Sequence, residues 1–186
     1  MKKVVLLGDS IREIGYGTKV PELLKDEFTV WQPEENCRFA YYTLRMLFDK
    51  RSEIEGADVI HFNNGLWDIC NLFGDGPFMP LNEYVNVMVR IAGILKTYGK
   101  KVIFATTTPC PPENKYNDDK VIIEFNNALV PKLKEMGIII NDLYSLVNSD
   151  MRKYIDQNDM LHLSKDGIDA AANQVANLIR EAASEN

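Results

Sequence analysis

Histidine is scarce. His61 and His162 are the two in 186 residues, so any chemistry that needs imidazole has two candidates. Cys37, Cys70 and Cys110 are odd in number and contain no C-x-x-C pair, which argues against a disulfide framework or a zinc site. No dense Lys/Arg run occurs, and 21 basic against 27 acidic residues leave a net charge of −6. A duplex-binding face needs the opposite balance, so no nucleic-acid partner is expected. Long apolar runs are missing as well. Val4 to Leu7 is too short for a signal-peptide core, and no later stretch has the length of a membrane span, so a cytoplasmic location is expected. Neither a linker nor an internal repeat divides the sequence, and residues 1–186 read as one domain.

What is present is an alternation of strands and helices. The apolar run Val4 to Leu7 ends at Gly8 and reads as a strand buried on both faces. Further strands are expected at Phe28–Trp31, Val59–Phe62, Lys101–Ala105 and Ile138–Ile140. Helices are expected at about Phe39–Ser52, Leu81–Tyr98 (stopped by Gly99), Asp119–Met136 (stopped by Gly137) and Lys165–Ala183. Cys70 to Pro80 holds Gly74, Gly76, Pro77 and Pro80 and must be loop. Five repeats of this alternation predict an α/β fold: a three-layer α/β/α sandwich on a five-stranded parallel sheet of flavodoxin-like order 2-1-3-4-5. Ligands of such sheets sit beyond the C-terminal strand ends.

At the end of the first strand stands Gly8-Asp9-Ser10-Ile11-Arg12. Gly15 and Gly17 are misplaced for G-x-G-x-x-G, and no phosphate-binding loop is present. Taken alone, Ser10 reads most simply as a helix N-cap. Near the other end stands Asp159-Met160-Leu161-His162. This spacing puts a carboxylate beside an imidazole, where it can hold one ring nitrogen and leave the other free as a base. Asp159 reads equally as a helix cap. The segment Leu143 to Met160 is, however, unusually long for a connection. It is long enough to carry His162 back across three strand spacings, roughly 14 Å, to Ser10. His61 lies between Ile60 and Phe62 and reads as a core histidine bonded to a neighbour. Asn63-Asn64-Gly65 is either a turn or a source of amide donors for an oxyanion.

With these residues together, the sequence resembles the SGNH (GDSL) hydrolase family. Gly8-Asp9-Ser10-Ile11 is similar to its first block and Asp159-Met160-Leu161-His162 to its last, D-x-x-H block. The third block, G-x-N-D in the family, reads Gly65-Leu66-Trp67-Asp68 here, and Asn63-x-Gly65-x-Trp67 is closer to the PC-esterase branch. The resemblance implies a serine esterase with Ser10 as nucleophile, His162 as base and Asp159 as its orienter. The oxyanion hole would be drawn from Ser10, Cys37 and Arg38 N–H groups and the amide of Asn63, or else Asn64. Arg38 stands where the family's second block has glycine, and pairing with Glu34, Glu35 or Asp9 is the favoured role for its side chain. Asp9, Arg12, Asn36, Trp67 and Leu161 are expected around the substrate. No cofactor or metal is implied. The substrate would be a small ester, with acetyl on a carbohydrate preferred over a lipid ester, lysophospholipid or thioester. Two rivals remain at this point: a flavodoxin-like binder of a small ligand without chemistry, and, ranked last, a phosphoacceptor domain modified at Asp9 or Asp68. Oligomeric state is left open.

Overall fold

Four consecutive aliphatic residues, Val4 to Leu7, have no exposed surface at all, which requires cover on both sides of their strand. The computed structural model describes residues 1–184. In it β1 (Lys2–Leu7), β2 (Phe28–Trp31), β3 (Ala57–Phe62), β4 (Gly99–Ala105) and β5 (Ile139–Asn141) form one parallel sheet of order β2-β1-β3-β4-β5, as the alternation predicts. α2 (Ala40–Asp49), α5 (Leu81–Tyr98) and α6 (Asp119–Glu135) pack side by side. α1 (Val20–Leu24) packs with α9 (Lys165–Ser184), which also lies on β3. The buried stripe of α9 is Gly167, Ala171, Ala172, Val175, Ala176, Ile179 and Ala182, mostly small, and at Gly167 the helix comes so close to Tyr154 O that a Cβ would lie 2.1 Å from it.

Register places the site. Leu7 pairs with Phe62, so β1 and β3 end together, and Gly8 and Asn63 leave the sheet side by side. A Cβ on Gly8 would lie 1.9 Å from Asn63 Oδ1, so this crossing admits only glycine.

Four segments differ from the sequence expectation. The helix expected over 39–52 is broken at Lys50 (φ −110°, ψ 23°) into α2 and α3 (Arg51–Ile54). The break turns the chain toward β3, with Ile54 fully buried and the Gly56 N–H reaching Tyr98 O. Between β1 and β2 the chain coils through a π-helical turn (Ile11–Gly15), a 3-10 turn (Tyr16–Thr18) and α1, because Ile11, Tyr16, Val20 and Leu24 all seek the core. A further short helix, α4 (Leu66–Ile69), follows β3. The long connection after β5 is itself folded into α7 (Leu143–Asn148) and α8 (Met151–Tyr154), each begun by an aspartate, Asp142 or Asp150, that accepts a backbone N–H.

Candidate active site

Ser10 is the second residue past the Gly8 crossing, at the mouth of the π-helical turn. Its Oγ lies 2.8 Å from His162 Nε2, and His162 Nδ1 lies 2.8 Å from Asp159 Oδ2. The returning loop is tied at its neck. Ile155 bridges Leu163, the Asp156 N–H bonds to His162 O, and the Ser164 N–H bonds to Tyr154 O. Leu163 is buried beside Gly15, which seats the imidazole against the nucleophile's own turn. Asp159 Oδ1 accepts the N–H groups of Leu161 and His162, and Asn114 from the proline-rich loop donates to Met160 O. Partial burial opposes charge on Asp159. The backbone N–H and imidazole of His162, with the Leu161 N–H, outweigh it and keep the carboxyl below its ordinary range.

A cleft of about 280 Å³ opens at this pair, lined by Ser10, Leu66, Trp67, Cys70, Leu72, Tyr116, Asn117, Leu161 and His162. Trp67 and Leu161, both expected around the substrate, line this cleft. Tyr116 and Asn117 were not anticipated; they come from the loop after β4, beyond its recognisable strand end. A larger hollow of about 530 Å³ lies beside β5 between α6 and α7. It has no imidazole, and its Ser145 is bonded to Asp142.

Three residues expected around the substrate are placed elsewhere. Asp9 is buried, accepting from the Ile11 N–H and the Asn63 amide. Arg12 is buried too, its guanidinium donating to the carbonyls of Pro33, Gly8 and Glu35. That fork stitches the strand-two loop to the nucleophile turn, a structural use that needs several acceptors in fixed positions. Asn36 is held between Glu13 and the Arg38 N–H.

The expected oxyanion donors are largely engaged as well. Cys37 N–H bonds to Gly8 O and Arg38 N–H to Asn36 Oδ1. The Asn63 amide donates to Asp9 at 2.7 Å, and Asn64 donates to Arg38 O. A nearby carboxylate and a carbonyl outcompete an open cleft for these groups, and neither asparagine lines it. The Ser10 N–H has no acceptor among the described residues. Arg38 adopts a left-handed backbone (φ 50°), the conformation glycine serves most cheaply. Its guanidinium lies over the Tyr42 ring, 4.8 Å from the centroid, in place of the expected carboxylate pairing.

His61 is fully buried between Tyr16 and Asn141, and burial lowers its pKa to about 3. The three cysteines are free and buried, and burial pushes the Cys110 thiol up to about 12. Among the described residues no group of three His, Cys, Asp or Glu side chains is placed to hold a metal ion, and no helix is long and apolar enough to cross a membrane.

No protein-family model matches the chain. It is 29% identical over 169 residues to GDSL esterase/lipase WDL1 of Oryza sativa subsp. japonica, a match covering 79% of this chain but 62% of the rice protein. The chain thus spans less than two thirds of that relative's length. GDSL esterase/lipase CPRD49 of Arabidopsis thaliana is 23% identical, across 97% of this chain and 79% of its own. Among solved structures, the lipase/acylhydrolase from Enterococcus faecalis has a TM-score of 0.80 at 19% identity, covering 97% of this chain and 96% of that one. The acetyl xylan esterase AlAXEase has a TM-score of 0.75 at 23% identity, covering 95% and 99%. In sequence the chain is thus similar to GDSL esterases/lipases, and it shares its fold with solved acylhydrolases and acetyl xylan esterases.

Proposed function

We propose that the protein is a serine esterase working through an acyl-enzyme on Ser10. The observation that carries this reading is the continuous line from Asp159 through His162 to Ser10, with both contacts at 2.8 Å. Asp159 holds the Nδ1–H tautomer, so Nε2 is the base that takes the Ser10 proton as Oγ attacks the ester carbonyl. His162 returns that proton to the departing alkoxide, and the alcohol leaves. Water then gives a proton to Nε2, its oxygen attacks the acyl carbonyl, and the carboxylic acid is released as Ser10 recovers its proton. The Ser10 N–H supplies one oxyanion donor. Arg38 N–H supplies the second by exchanging a neutral amide oxygen for the more strongly accepting oxyanion.

For the substrate, an acetyl group on a carbohydrate is supported by the shared fold with an acetyl xylan esterase and by Trp67, 42% exposed at the cleft, where a sugar face stacks. A second reading, an aliphatic acyl chain, is favoured by the apolar walls that Leu66, Leu72, Tyr116 and Leu161 give the cleft. Rates on p-nitrophenyl acetate and hexanoate, with acetate release from acetylated xylan, separate the two. Hexanoate hydrolysed faster than acetate, with no acetate released from the polymer, would favour the aliphatic chain. A fluorophosphonate probe tests the chemistry itself. Labelling is expected at Ser10, absent in Ser10→Ala and strongly reduced in His162→Ala. A folded protein that resists the probe and cleaves no p-nitrophenyl ester would overturn the proposal.

A further inference from the structure

One buried polar chain crosses the molecule beneath the nucleophile. Gln174 Nε2, on α9, donates to Asn141 Oδ1 at 2.7 Å, and Asn141 Nδ2 meets His61 Nε2 at 3.0 Å. An amide nitrogen only donates, so Nε2 accepts, His61 is neutral, and its proton sits on Nδ1. That proton faces Tyr16 Oη at 3.3 Å; the Tyr16 hydroxyl donates to Asn63 Oδ1 at 2.7 Å, and Asn63 Nδ2 donates to Asp9 Oδ1 at 2.7 Å. Reading back from the Asp9 carboxylate, which only accepts when ionised, gives the same assignment at every link. All the donors therefore point one way, from the last helix to the residue preceding Ser10. Asp9 in turn holds Ser10's turn: Oδ1 accepts the Ile11 N–H, and its carbonyl accepts those of Arg12 and Glu13.

We propose that Asp9 is a positioning residue for the Ser10–His162 pair, oriented and kept anionic by this one-way chain through Asn141, His61, Tyr16 and Asn63. The inference rests on the esterase reading above. It assigns work to two residues, His61 and Tyr16, that do not line the cleft. Aligned donors polarise one another, so each link strengthens the next and the last one falls on a charge. Burial raises the Asp9 pKa to about 6, while the Ile11 N–H, the Asn63 amide, Arg12 and His162 pull it back. The charged and titratable groups facing Asp9 are Arg12 on its own turn, His162 on the C-terminal loop, Asp68 on α4, Tyr16, Cys37 on the strand-two loop and Tyr84 on α5. Anionic Asp9 favours the imidazolium that His162 becomes as it takes the Ser10 proton.

Tyr16→Phe removes one hydroxyl and keeps the buried ring. With its last donor no longer polarised, Asp9 protonates at higher pH. The acid limb of kcat/KM for p-nitrophenyl acetate should move up by about half a pH unit. kcat should fall about tenfold with KM unchanged. Asp9→Asn, of the same shape, should lose kcat to a similar degree, and adding Tyr16→Phe to it should shift the acid limb no further. The Asp9→Asn measurement decides the matter even where Tyr16→Phe folds poorly. Folded variants with wild-type kcat and a superimposable pH profile overturn the inference and leave the esterase reading standing. A wild-type protein inert to esters and probe overturns that reading first.

Discussion

Asp68 offers the sharpest test of the electrostatics under the site. It is fully buried on α4; Oδ1 accepts the Ala40 N–H at the start of α2, and Oδ2 has no partner among the described residues. Burial, with the neighbouring Asp9 charge, pushes its pKa up to about 7 from 3.8. In the pH range between those values the folded state holds a proton that the unfolded state has released, so stability falls as pH rises. At about 1.4 kcal/mol per pH unit the whole effect is about 4 kcal/mol, of which about 3 kcal/mol falls between pH 5 and pH 8. Asp68→Asn keeps the acceptor for Ala40 and removes the titration. Urea unfolding of both proteins at the two pH values isolates the Asp68 titration together with its coupling to Asp9, because every other titrating group is common to both. The variant should gain about 2–3 kcal/mol on wild type in going from pH 5 to pH 8. An equal stability difference at both pH values would refute the reasoning.

Gly8→Ala drives a methyl into Asn63 Oδ1; a loss of about 2–4 kcal/mol is expected in thermal unfolding, with esterase rate falling alongside it. Arg12→Lys breaks a fork that spans the Pro33, Gly8 and Glu35 carbonyls and leaves the buried Pro33 carbonyl without its donor, so the urea midpoint should drop by the equivalent of about 2–3 kcal/mol. A change within experimental error would show that the fork is not what joins the strand-two loop to the nucleophile turn.

The strand order was legible because five short apolar segments alternating with helices leave few ways to build a covered parallel sheet. Ser10, Asp159 and His162 were legible for a local reason: each lies in a short motif, and the length of the returning segment allows the motifs to meet. The oxyanion donors and the substrate shell were not. Asn63 looks the same in sequence whether its amide faces a cleft or Asp9. Arg12 looks like a surface cation until three carbonyls converge on it. Tyr116 and Asn117 carry no mark of their own, since a loop's path depends on what it packs against.

Local chemistry along the chain determined the periodicities, the turn at Gly8 and the pairing of Asp159 with His162 three residues on, all of which involve neighbours within one turn. Tertiary structure alone decided which polar groups face solvent and which face one another. His61, Tyr16, Asn63 and Asp9 are drawn from three separate segments. Their hydrogen bonds form because a sheet covered on both faces leaves buried donors no water to turn to.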